Sequence, residues 1–134
     1  MSTEQAPYES IVLMDAPSIA ANVHRLALLI VEGNPEMERV AMLGILRRGR
    51  PLAERIAAEI YRMTGCHVPV GSLATTLYRD DFHTGKRPKL HGETHFEFSV
   101  VDRTILLVDD VLAAGRTIRA AMDEVFDYGR PHSI

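Results

Sequence analysis

The run Ile105-Leu106-Leu107-Val108, followed at once by Asp109-Asp110, restricts this chain more than any other feature. Four apolar residues in a row suit a strand buried on both faces, as in a parallel sheet covered by helices. Two carboxylates then arrive at the carboxyl end of that strand. The next residues, Val111 to Thr117, turn into a helical pattern and offer backbone N–H groups at a helix N-terminus, a place for phosphate. Carboxylates beside a phosphate cradle suit a phosphorylated sugar such as ribose 5-phosphate, with Mg²⁺ accompanying its charges. Neighbours in a strand point to opposite faces, so Asp109 and Asp110 can share one ligand only where the chain turns. An isolated Asp-Asp reads equally well as a helix cap beside a solvated loop acid. The apolar run before it and Ala113-Ala114-Gly115-Arg116-Thr117 after it favour the sugar. Gly115 permits close backbone approach and Thr117 adds a hydroxyl, whereas Arg116 also reads as a surface residue.

The rest of the chain supplies the partners such a strand needs. Asp15-Ala-Pro17-Ser18 is a helix start, and Ile19, Val23, Leu26 and Ile30 keep helical spacing until Gly33-Asn34-Pro35. Before it, Tyr8 to Leu13 reads as a short edge strand. Val40 to Ile45 is a continuous apolar run and reads as a buried strand. Pro51 opens a helix carrying Leu52, Ile56, Ile60 and Met63 on one face, closed by Gly65. Val68 to Leu77 reads as a strand, residues 79–95 as a long loop, and His95 to Val100 as an extended return. A final helix turns Ile118, Ala121, Met122, Val125 and Phe126 inward and ends at Gly129 and Pro131. Strands separated by helices predict an α/β fold with a mainly parallel sheet covered on both faces. No repeat or low-complexity tract divides the chain, so residues 1–134 are expected to form a single domain.

Composition narrows the function. A net charge of −3 gives no general attraction for nucleic acid or anionic membrane, and 46% hydrophobic with 25% charged residues is ordinary globular content. The charge is unevenly spread: up to position 38, Arg25 is the only lysine or arginine against six acids, whereas Arg47-Arg48-Gly49-Arg50 and Lys86-Arg87-Pro88-Lys89 come later. The single cysteine, Cys66, excludes an internal disulfide and fits a reducing compartment. No stretch reaches the ~18 apolar residues of a membrane helix. The start Met-Ser-Thr-Glu-Gln lacks the pattern of a signal peptide. A cytoplasmic protein is expected. His83, His91 and His95 lie at irregular spacing in a polar stretch and read as solvated, so no protein-held metal is expected.

Two further segments carry chemistry. Gly44-Ile45-Leu46-Arg47-Arg48-Gly49 follows a strand with guanidinium groups and loop N–H groups, which together neutralise a diphosphate; alone it also fits a plain strand-to-helix turn with exposed arginines. Tyr78-Arg79-Asp80-Asp81 heads the long loop, which is of the length of a lid or of a merely solvated segment.

Taken together, these residues resemble the type I phosphoribosyltransferases, whose signature for phosphoribosyl diphosphate (PRPP) is an apolar run, two acids and a Gly-x-Thr loop. Within that group, Thr76-Leu-Tyr-Arg-Asp-Asp81, Val108-Asp-Asp-Val-Leu with Gly115-Arg-Thr, and Gly129-Arg-Pro131 are similar to the PyrR family. Its members are pyrimidine-operon attenuation regulators that are also uracil phosphoribosyltransferases. The resemblance runs from about residue 15 to the last residue. It implies Asp109 and Asp110 on the ribose hydroxyls, residues 113–117 around the 5′-phosphate, and Arg47, Arg48 and Gly49 on the diphosphate. Tyr78, Arg79, Asp80 and Asp81 belong to a lid that closes over PRPP and excludes water, with Arg79 joining the two acids in catalysis. The implied reaction joins uracil to PRPP, giving UMP and diphosphate, with Mg²⁺ entering through PRPP, and homo-oligomers are expected.

The resemblance also has departures. Arg47 stands where the family usually has threonine. The early helix, the source of the family's RNA surface, offers only His24 and Arg25, so binding to pyrimidine-leader RNA is expected to be weak. The chain stops at Pro131-His-Ser-Ile134, where the family's last core strand begins. That strand is expected to be absent and uracil transfer weakened or lost. The alternative function is therefore a PRPP- or UMP-binding protein with little turnover.

Overall fold

Residues 9–75, 93–112 and 115–134 are described by the computed structural model. The Asp15 carboxylate accepts a hydrogen bond of 2.9 Å from the Ser18 N–H and, with Pro17 in the first turn, starts helix α1, Ala16–Gly33. A 3₁₀ turn, Met37–Arg39, leads into strand β1, Val40–Ile45. Helix α2 spans Gly49–Thr64, strand β2 Val70–Leu73, strand β3 Thr104–Val108 and helix α3 Arg116–Tyr128.

The three strands form one parallel sheet in the order β2-β1-β3, so β1, an unbroken apolar run, is the central strand. Its residues alternate between two cores. Val40 and Met42 pack with Val23 and Ala27 of α1 and Ala53, Ile56 and Ile60 of α2. Ala41, Leu43 and Ile45 pack on the other face with Ile105 and with Ala121 and Val125 of α3. Sheet residues buried on both faces explain why no polar alternation is visible in β1. The predicted α/β class, its parallel sheet and its helices on both faces are thus realised.

Details differ from the sequence expectations. Within residues 9–13 no strand forms. The second strand is shorter than Val68–Leu77. The extended return is reduced to a single antiparallel bridge between Ser72 and His95. The buried stripe of α1 is Val23 and Ala27, with Ile30 and Val31 half-buried; Leu26 is 45% exposed, because the helix is rotated to lay the small Ala27 flat on α2 and the sheet. Phe126 of α3 is likewise exposed by half. At the outer edge of β3, residues 131–134 run alongside: the Ile105 N–H donates to Ser133 O at 2.9 Å and the His132 N–H to Arg103 O at 2.8 Å. Ser133 makes a parallel bridge to Thr104, without a strand of its own.

Candidate functional site

The register places the carboxyl ends of the three strands level. Gly44 of β1 pairs with Ser72 of β2 on one side and with Val108 of β3 on the other. From β1 the chain passes through α2 to β2 on one side, then returns to place β3 on the other. The boundary between β1 and β3 is therefore the topological switch point, where loops diverge to opposite faces and leave a crevice. Loop 46–48, residues 109–112 and the start of α3 lie at this end of the sheet.

The loop after β1 is drawn down onto the sheet by contacts that only glycine allows. A Cβ on Gly49 would lie 2.2 Å from the Val108 carbonyl oxygen, and one on Gly44 2.4 Å from the Cα of Arg50. The Leu46 N–H donates to Leu73 O at 3.0 Å, and the Leu46–Arg47 peptide bond is cis. Arg47 and Arg48 are exposed at the tip of the loop, and no side chain among the described residues caps the α2 N-terminus. Two exposed arginines beside a helix N-terminus without a side-chain cap have the chemistry that suits an anion.

Across the switch point stand the two acids. Asp109, half-buried at the end of β3, accepts from the Asp110 N–H at 2.8 Å, and Asp110 reaches the Arg48 guanidinium at 3.5 Å. Burial pushes the Asp109 carboxyl above its ordinary value, with its neighbour's carboxylate adding to the effect. The hydrogen bond with Asp109 and then the Arg48 guanidinium hold Asp110 below the usual carboxylate range. One carboxylate is thus firmly ionised and the other easier to protonate. Five residues beyond Asp110, Gly115 adopts φ +74° at the start of α3, again without a side-chain cap among the described residues. That conformation is strained for residues with a Cβ, which is the local reason for glycine between the acids and Thr117.

The structure therefore brings Arg48, Asp109 and Asp110 together, although 62 residues separate the first from the last. Thr117 is half-buried in the first turn of α3 and Arg116 is exposed. Arg47 and Gly49 flank Arg48 as expected. Ala113, Ala114, Tyr78, Arg79, Asp80 and Asp81 lie outside the described residues. His24 sits away from these loops, its Nδ1 2.6 Å from Glu59 of α2, and Arg25 is exposed beside it. Among the described residues, no group of three or more His, Cys, Asp and Glu is placed to hold a metal ion.

Sequence reasoning assigned no role to Arg50. Placing the helix start at Pro51 left this arginine in the turn, whereas α2 begins at Gly49 and puts it in the first helical turn. The available signal was Glu54, four residues on, a helical ion-pair spacing. Thr94 was also missed: its hydroxyl accepts from the Ala74 N–H at 2.9 Å and bonds Glu124 of α3 at 3.1 Å.

Residues 12–133 match the model of the phosphoribosyl transferase domain family. The chain belongs to this family. The bifunctional protein PyrR of Thermus aquaticus is 49% identical over 123 residues, covering 91% of this chain and 67% of that protein. The PyrR of Deinococcus radiodurans is 43% identical with the same coverage, and that of Clostridioides difficile 42% over 127 residues, 69% of its length. The chain thus spans about two thirds of these PyrR proteins. Among solved structures, the L. donovani hypoxanthine-guanine phosphoribosyl transferase superposes with a TM-score of 0.72 at 18% identity, over 96% of this chain and 70% of that one. The purine phosphoribosyltransferase of Pyrococcus horikoshii gives 0.64 at 21% identity, over 90% and 71%. These two likenesses establish the phosphoribosyltransferase fold, and the PyrR relatives establish the branch.

Proposed function

We propose that this PyrR-like phosphoribosyltransferase binds PRPP across the β1–β3 switch point and transfers its phosphoribosyl group to uracil. The observation that carries the reading is the meeting of Arg48 and Asp110, one cationic and one anionic loop, at 3.5 Å. PRPP has the complementary arrangement: a diphosphate beside ribose hydroxyls, with a 5′-phosphate beyond. Arg47, Arg48 and the α2 N-terminus take the diphosphate. Asp109 and Asp110 accept from the ribose hydroxyls, and residues 113–117 receive the 5′-phosphate at the α3 N-terminus.

In the reaction, a ring nitrogen of uracil bonds to the anomeric carbon, the bond from that carbon to the diphosphate oxygen breaks, and the ring nitrogen gives up its proton. UMP and diphosphate are formed. As charge develops on the sugar and the leaving oxygen, the ionised Asp110 stabilises the first and the arginines the second, without a covalent enzyme intermediate. Two carboxylates are too few for a protein-built metal cage but suit Mg²⁺ carried by the substrate, which usually takes one or two carboxylates plus phosphates. When bound, Mg²⁺ neutralises diphosphate charge. The loop headed by Tyr78, Arg79, Asp80 and Asp81 serves as the lid, and Arg79 joins the two acids in catalysis.

The same family reading gives control of pyrimidine genes through leader RNA, in a homo-oligomer acting in the cytoplasm as one domain over residues 1–134. Cys66 as the sole cysteine supports that compartment, and among the described residues no helix is long and apolar enough to cross a membrane. A second reading is PRPP or UMP binding with little turnover and weak RNA affinity; the weak RNA affinity is supported by α1, where the His24 ring is engaged by Glu59 and Arg25 is the only lysine or arginine.

Calorimetric titration with PRPP and Mg²⁺, followed by uracil, tests both. Saturable PRPP binding, then heat of turnover with UMP and diphosphate detected, is expected for the enzyme. Binding without product supports the second reading, and no PRPP binding refutes the site.

A further inference from the structure

The run Arg47-Arg48-Gly49-Arg50 looks like one cationic cluster in sequence, but its members are held very differently. Arg47 and Arg48 are exposed at the loop tip, the Arg48 side chain by 83%. Arg50 is 32% exposed, and its guanidinium is spent on two partners: Nε donates to Glu54 Oε1 at 2.8 Å, and Nη1 donates to Ser72 Oγ at 3.0 Å. Glu54 lies one turn further along the same helix. Ser72 lies on β2, where its own backbone is bound to His95 through both N–H and C=O, at 2.8 and 2.9 Å. The Arg50 backbone meanwhile rests directly on Gly44 of β1, so close that a Cβ there has no room. Arg50 therefore spans β1 and reaches across to β2.

We infer that Arg50 is a positioning residue for the proposed diphosphate loop: its guanidinium fastens the end of that loop to Ser72 of β2. The inference rests on the proposed function. The loop is fixed at three points. The Leu46 N–H ties its beginning to Leu73 O, Gly49 abuts Val108 of β3, and Arg50 ties its exit to β2. Between them, Arg47 and Arg48 carry exposed side chains on a fixed backbone. Holding the backbone in advance matters because the ordering of an anion-binding loop otherwise subtracts from affinity. A neutral side chain at position 50 loses both partners, and Ser72 and Glu54 then compete for water.

The test uses the full chain with inorganic diphosphate and UMP as separate probes, read by calorimetry in the presence of Mg²⁺. Arg50→Gln is expected to weaken diphosphate binding roughly tenfold and to raise the KM for PRPP in parallel, while UMP binds as before, since UMP carries no diphosphate. Arg50→Lys, which keeps the charge on a single donor nitrogen, recovers part of the loss, and Ser72→Ala, which removes one of two partners, falls between. Unchanged diphosphate affinity in Arg50→Gln overturns the inference. An equal loss of UMP and diphosphate binding also overturns it, because that pattern is general destabilisation. Failure of the unmodified chain to bind either probe refutes the proposed site itself, a separate outcome.

Discussion

At the level of single residues, the site depends on what is missing from side chains as much as on what they carry. The acids were legible because an apolar run followed by two carboxylates has few physical readings. Gly49 was read as part of the diphosphate loop, but its packing was not legible, because a glycine in a turn does not announce which backbone will press against it. Here it is the Val108 carbonyl, the last of β3, 2.2 Å from where a Cβ would stand. Gly49→Ala must push the loop off the strand end, and with it Arg48 away from Asp110. We expect a loss of about 1–3 kcal/mol in denaturant unfolding, as for other forced overpacking. Diphosphate binding should fall by more than stability alone explains. Unfolding and binding curves equal to those of the unmodified chain would contradict this. The Arg48–Asp110 pair itself adds little to stability, being exposed, which suits the proposed role of Arg48 as a cation that exchanges its partner for a ligand.

Among the elements, α1 shows how far periodicity carries. Apolar spacing and the Asp15 cap located the helix well. Its rotation was misjudged, because Leu26 outweighs Ala27 in any apolar count, while the packed interior selected the smaller residue at 0% exposure. What fastens α1 to α2 on the outside is polar. Glu59 of α2 accepts from Arg62 on its own helix and pairs with His24 of α1 at 2.6 Å. Arg62 first, then His24, hold the Glu59 carboxyl down to about 2 from 4.5. A lowered carboxyl contributes stability that is present above its unfolded value and lost as the pH falls through the folded one. Glu59→Gln should therefore lower the Tm near neutral pH, and the gap from the unmodified protein should close as the pH drops from about 4.5 towards 2. A gap that stays constant across that range would show the pair to be without effect. Arg25, on the same helix, gains no such partner among the described residues.

Across the whole molecule, the order of elements was readable because helical and strand-like patterns alternate. The position of β3 beside β1 was not written in any local pattern; it follows from the handedness of the connections and from burial of β1 on both faces. Charge is also a property of this scale. With a net charge of −3 and an early helix on which Arg25 is the only lysine or arginine and His24 is engaged by Glu59, the surface expected to meet RNA is poor in cations. Pyrimidine-leader RNA is therefore expected to bind with a Kd on the order of 10⁻⁶ M or weaker at physiological salt, in the range of non-specific contacts. Nanomolar, sequence-selective retention in a filter assay would overturn that expectation.

The level strand ends have a consequence in time as well as in space. Val40 pairs with Thr104 and Gly44 with Val108, so the crevice closes only after a chain segment of about sixty residues has looped back. Helix α1, β1 and α2 can meet through near neighbours, whereas the two walls of the crevice belong to distant stretches. Competence at the proposed site is thus expected late in folding, when β3 docks. A pulse of ligand during refolding is expected to count the molecules that have completed the sheet, and a nascent chain is expected to bind no PRPP at the proposed site before β3 has been made.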